Sequence, residues 1–200
     1  MKVFYAGRIV ALLVLVLAMA GCAGGPLPYQ TQDDPIKRID EEGVIITLRF
    51  INDETLKRLY GKGIINPFIA PMFTIQRTRF LVFEFIVRNR REENVTLNLN
   101  QLELQFTGKH VQPINSFQLI NFWKQKDDRA EIRSIDRTKK EKTIKRYIAP
   151  NKILISPGSS FQGYLLFKGG FPNFGEVDIY LPALGPSGRP VHVFEFDYKF

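Results

Sequence analysis

Residues 79–106 read RFLVFEFIVRNRREENVTLNLNQLELQF, and this stretch decides the fold class. From Arg79 to Arg88, side chains two apart share a face of a strand. One face therefore carries Leu81, Phe83, Phe85 and Val87. The other carries Phe80, Val82, Glu84 and Ile86, which is also mostly apolar and predicts a central strand covered on both sides. The polar run 89–94 reads as a turn. Beyond it Val95, Leu97 and Leu99 alternate, the phase slips by one, and Leu102, Leu104 and Phe106 resume it. A one-residue slip turns every later side chain to the opposite face unless the chain bulges or turns. The slip predicts a break near Asn100-Gln101, where the chain could pass to a second sheet.

The same period extends outward in both directions. Upstream, 44–52 (VIITLRFIN) places Val44, Ile46, Leu48 and Phe50 together. Residues 53–63 read as a polar connection with room for one helical turn, and Pro67 and Pro71 bracket a loop. Downstream, strand patterns recur at 153–155, 163–168, 176–181 and 191–200, separated by Pro-Gly, Gly-Gly and Gly-Pro turns. Seven or eight short strands without a crossover helix predict an all-β, antiparallel sandwich or barrel.

The segment 117–151 departs from this pattern. Asp127, Asp128 and Glu131 precede a basic run, which suits a helix starting near Asp128. At 3.6 residues per turn, Ile144 and Ile148 fall away from the face of Ile132 and Ile135. Two short helical pieces are expected, broken around 138–140, as a charged insertion over about 124–148 on the domain surface. Within it Arg137, Lys139, Lys140, Lys142, Lys145 and Arg146 stand against Glu141 alone. Such a cluster could meet anionic lipid or glycan, or serve only as a solvated face.

Seventeen Phe residues supply core material, and the chain carries a net charge of +8. Residues 23–43 hold three Pro and little apolar patterning, and read as a tether ahead of a domain at 44–200. Before it, Lys2 and Arg8 precede twelve apolar residues, Ile9 to Ala20. That run is shorter than the roughly 20 residues a spanning helix needs and fits a secretory leader over 1–21. The end of that run with the two residues after it, Met19-Ala20-Gly21-Cys22, resembles the bacterial lipobox, with Met where Leu is usual. The resemblance implies cleavage before Cys22 and lipid on its thiol, which would anchor the chain durably once several acyl chains are attached. Cys22 is the sole cysteine, so no intrachain disulfide is available. Ala23 stands where Asp commonly signals inner-membrane retention, which favours the outer membrane, facing the periplasm.

FLVFEFIVRN, REEN and VTLNLNQLELQF, with the later ISPGSSFQGYLLF, are similar to secreted bacterial immunoglobulin-like domains. The resemblance covers about a third of the mature chain and implies an immunoglobulin-like β-sandwich with no catalytic residues attached. One further pattern points elsewhere. Phe194, Phe196, Tyr198 and Phe200 alternate to the last residue, which resembles the terminal strand of outer-membrane barrels. A small barrel is the competing architecture, although barrel strands alternate apolar-out with polar-in and 80–87 does not.

Motifs for chemistry are sparse. His110 and His192 are distant, whereas metal sites converge three or four ligands. No G-x-S-x-G elbow or phosphate-cradling glycine loop occurs. The paired carboxylates Asp33-Asp34, Glu41-Glu42, Glu92-Glu93 and Asp127-Asp128 lie in polar segments. The expectation is a non-catalytic lipoprotein without metal or cofactor, held on the membrane and working with an envelope protein partner. An exported chain has little access to nucleic acid.

Overall fold

The computed structural model describes residues 30–71, 78–171 and 174–200. The leader, Cys22 and the tether up to residue 29 lie outside the described residues. Two antiparallel sheets pack as a sandwich, and a layer of three short helices covers the outer face of one of them.

The first sheet has the order β1 (Ile36–Glu41), β2 (Val44–Phe50), β3 (Arg79–Asn89), β8 (Ser160–Gly169). β3 is central, as its two apolar faces require. Leu81, Phe83, Phe85 and Val87 point between the sheets, where they meet Val44, Ile46, Leu48 and Phe50 of β2. Phe80 and Val82 point the other way, with Tyr164 and Leu166, into a second core under the helices.

The second sheet is built around β9 (Glu176–Leu184). One edge of β9 pairs with β10 (Pro190–Lys199) throughout. The other edge is shared by β4 (Val95–Asn98) and β5 (Glu103–Phe106), with β7 (Lys152–Ile155) and β6 (Lys109–Val111) outside them. The expected break is a single 3-10 turn at Leu99–Gln101, capped by the Asn98 side chain on the Asn100 amide. The chain stays in one sheet there. The extra turn restores the phase, so Leu97 before it, Leu99 at its start, and Leu102 and Leu104 after it all face the core. Pro182 falls between the residues of β9 that pair with β5 and with β4, so its missing N–H breaks no ladder bond on that edge.

Among the described residues the sheets do not close into a barrel. Phe194, Phe196, Tyr198 and Phe200 are buried inside the sandwich, while Glu195, Asp197 and Lys199 face solvent. A membrane barrel would show the reverse. The Tyr198 hydroxyl donates across the core to the Leu48 carbonyl at 2.9 Å, tying the sheets together.

Two boundaries differ from expectation. The sandwich starts at Ile36, eight residues before Val44, because 36–41 forms a complete edge strand on β2. A two-residue turn, Glu42-Gly43, joins them with φ of 50° and 73°, the left-handed pair that suits a twisted hairpin. The helical segment is also longer than 124–148. It comprises α2 (Ser116–Arg129) and α3 (Ser134–Tyr147), with the break at 130–133 and not at 138–140. The third helix, α1 (Asp53–Tyr60), follows β2 and is capped by Asn52.

Candidate functional site

The α2–α3 hairpin is the most strongly charged part of the described chain. α2 opens with a capping box, in which Asn115 accepts from the Gln118 amide and the Gln118 side chain accepts from the Asn115 amide. Its inner stripe is Leu119, Trp123 and Asp127, and that of α3 is Asp136, Lys140 and Ile144, each set at four-residue spacing. The stripes thus bring a carboxylate and an ammonium face to face inside the layer. Lys140 Nζ lies 2.6 Å from Asp127 Oδ1, with both side chains under 5 % exposed. It also sits 4.0 Å above the Trp123 ring, where the ring's negative face attracts a cation. Burial pushes the Lys140 ammonium below its ordinary pKa, against the pull of the Asp127 hydrogen bond. Trp123 in turn donates to the Pro67 carbonyl at 2.8 Å, fastening the loop after α1.

Arg137 is committed to the same frame. Its guanidinium reaches Asp128 at 2.6 Å and the carbonyls of Asp127 and Ile132, near the carbonyl end of α2, where a cation suits the helix dipole. Arg133 pairs with Asp136 at 2.8 Å. Two of the six basic residues, Lys140 and Arg137, are therefore internal ties and are removed from the candidate surface. The reason is helical phase, since Lys140 lies one turn from both Asp136 and Ile144 on the packed stripe.

The other four, Lys139, Lys142, Lys145 and Arg146, are exposed. At 100° per residue Ile135, Lys139, Lys142 and Arg146 fall within about 60° of one another. Ile135 is 57 % exposed. No ion pair engages Lys139, Lys142 or Lys145 among the described residues, and the Arg146 guanidinium leans over the Tyr147 ring at 5.5 Å. The structure thus divides the six basic residues into two that are ion-paired, Arg137 and Lys140, and four that are exposed.

A tyrosine cluster beside the hairpin had no marker in the sequence, because its members come from three distant segments. Tyr60 and Tyr164 share a hydroxyl–hydroxyl hydrogen bond of 2.8 Å, and Tyr147 stacks on Tyr164 with centroids 5.3 Å apart. Burial pushes the pKa of both Tyr60 and Tyr164 up, so these phenols stay neutral. On the same face Arg49 pairs with Glu84 at 2.6 Å, and Gln162 donates to Glu84. These contacts seat α1 and the end of α3 on the first sheet.

The remaining candidates lie apart. His110 meets Glu103 at 3.1 Å on the surface, and His192 packs edge-on to Phe194. Among the described residues no three His, Cys, Asp or Glu are grouped to hold a metal ion, and no helix is long and apolar enough to cross a membrane. A hollow between Leu99, Ile114, Asn115 and Asn151 has a volume of about 10 Å³, room for one water at most. Met19 to Ala23 lie outside the described residues.

No family model matches the chain, and comparison with curated proteins finds no match. Among solved structures the chain is similar to a FixG-related protein from Vibrio parahaemolyticus, at 8 % identity and a TM-score of 0.40 over 80 % of this chain and 95 % of that one. It is also similar to a Bacillus subtilis protein described as a putative lipoprotein, ycdA, at 7 % identity and a TM-score of 0.45. That second likeness covers 84 % of this chain and 39 % of the other, so the chain spans well under half of its length. At such scores neither likeness bears on activity.

Proposed function

We propose that this chain is a lipoprotein of the bacterial cell envelope, acylated on Cys22, whose sandwich works as a non-catalytic docking or structural module for an envelope protein partner. The observation that carries the reading is the closeness of the lipobox cysteine to the folded domain. Gln32 already donates to the Lys199 and Phe200 carbonyls. Nine residues lie between it and Cys22, a span of at most about 35 Å of chain. A domain on so short a leash works at the membrane face. The Ala23 signal favours the outer membrane on its periplasmic side.

Two fully buried side-chain amides are committed to the fold. Asn66 bonds the Leu56 and Gly61 carbonyls and the Phe68 amide. Asn89 bonds the Glu93 and Ile155 carbonyls and the Arg91 amide. Asn66 holds the following loop to α1, and Asn89 holds the turn after β3 to the end of β7.

The test is detergent-phase partitioning and mass analysis of the mature N-terminus. Wild-type protein is expected in the detergent phase with fatty acid on Cys22, and Cys22→Ser protein outside it or with its leader uncut. A wild-type chain without fatty acid on Cys22, or a Cys22→Ser chain that is cut at the same place and still partitions into detergent, would overturn the reading. Pull-down of the lipidated protein from membranes identifies the partner.

A further inference from the structure

We infer that the outer face of α3, formed by Ile135, Lys139, Lys142, Lys145 and Arg146, rests on the anionic lipid headgroups of the membrane that carries the anchor. The inference rests on the anchored reading above and adds an orientation to it.

Charge is the first support. The carboxylates of buried Asp127 and Asp136 and of exposed Asp128 are taken up by Lys140, Arg133 and Arg137 respectively. Lys139, Lys142 and Lys145 remain exposed without an ion pair among the described residues. An unpaired cation is attracted to a negative membrane surface within about a Debye length, whereas a paired one has little left to offer. Exposed Ile135 lies in the same row, an apolar side chain among long cationic ones, which suits the boundary between headgroup and acyl chain.

Position is the second support. Ile36, Arg49, Glu84 and Tyr164 are successive partners across the first sheet. The row that starts where the leash enters β1 therefore ends at Tyr164, on which Tyr147, the last residue of α3, is stacked. Three strand spacings, about 14 Å, separate the ends of that row. The leash is long enough to let both Cys22 and α3 meet one surface. The turn 90–94, beyond the Val44–Asn89 pair, lies at the opposite end of β2 from Arg49 and past the end of β3, five residues along from Glu84.

Cys22 is the sole cysteine. Once it is acylated, a cysteine placed by Thr138→Cys or Glu92→Cys is the single free thiol for a fluorophore. Residue 138 borders the basic row and 92 lies in the far turn, and both are exposed. Each labelled, lipidated full chain is placed in phosphatidylcholine vesicles doped with phosphatidylglycerol and a nitroxide-headgroup lipid. Quenching at 138 is expected to exceed that at 92 several-fold. It should fall to the level at 92 in the Lys139→Glu, Lys142→Glu, Arg146→Glu triple variant, in raised salt, or without phosphatidylglycerol. A Lys109→Glu, Lys152→Glu, Arg189→Glu variant, reversing three exposed charges of the second sheet and its adjoining loop, should keep the difference. Equal quenching at the two sites, or a difference that survives reversal of the α3 charges, overturns the orientation while leaving the anchor intact. A chain that carries no fatty acid and stays off the vesicles overturns the anchor and the orientation together.

Discussion

Burying the Lys140 ammonium against Asp127 and the Trp123 ring takes two charges out of water, and only the tight geometry offsets the desolvation. The arrangement leads to a directional expectation. Lys140→Met leaves Asp127 charged, buried and unpaired, and should cost about 3–5 kcal/mol. Adding Asp127→Leu removes the stranded charge and should restore most of that stability. Urea denaturation of the two single variants and the double variant measures the difference. Additive losses would show that the pair is not a unit. The neighbouring lysines differ from Lys140 only in helical phase. Charge along the run was plain in the sequence, but the packed side of α3 was not, because its stripe is Asp-Lys-Ile and not apolar.

The edge strand β1 shows the corresponding limit for whole elements. Its residues IKRIDE are mostly exposed on both faces, so no alternation marked it and it read as tether. What holds it is the β2 ladder and a small polar clasp. Asp33 and Lys37 lie 2.6 Å apart, beside the last strand. Burial alone would raise the Asp33 pKa, but the Lys37 hydrogen bond and a backbone bond from Lys199 outweigh it and hold the carboxyl below its ordinary 3.8. The Lys37 pKa is raised chiefly by that same hydrogen bond. A depressed carboxyl stabilises the fold above its unfolded pKa and stops doing so as pH falls through the lower folded value. The clasp should therefore loosen as pH drops below 3.8, and Asp33→Asn should remove this pH dependence. NMR titration of the Gln32 and Lys199 amides follows both effects. A clasp unchanged down to full Asp33 protonation would contradict the assignment. By contrast β3, with two apolar faces, and the slipped β4–β5 segment were legible as a central strand and a phase break. Burial on both sides and a core on one side leave periodic signatures that an exposed edge does not.

At the scale of the molecule, the first sheet belongs to two cores at once. Leu81, Phe83 and Phe85 of β3 pack between the sheets, while Phe80 and Val82 pack under the helices. Losing either layer would bare one apolar face of the shared first sheet, so the sandwich and the helical layer should unfold together. Trp123, the single tryptophan, reports the helical layer. Its fluorescence and the far-ultraviolet circular dichroism of the sheets should give coincident denaturation midpoints, as a cooperative domain requires. Separate midpoints would mean that the hairpin is an independent attachment. A layer locked to the sheet in this way would hold its basic outer face at a fixed angle to the leash.

The alternation of residues along the chain was enough to determine the all-β class, the central strand and which side chains share a face, because a side-chain period of two assigns faces without knowledge of partners. The resemblance of Met19-Ala20-Gly21-Cys22 to a lipobox likewise lies in adjacent residues and needs no fold to be noticed. Only the tertiary structure decided that β1 belongs to the sheet, that the terminal aromatics face inward, and that Lys140 and Arg137 are ties while their neighbours are free. Those outcomes depend on which distant groups meet. Asp127 and Lys140, or Tyr60 and Tyr164, acquire their roles only through packing between elements, and local spacing carries no record of it.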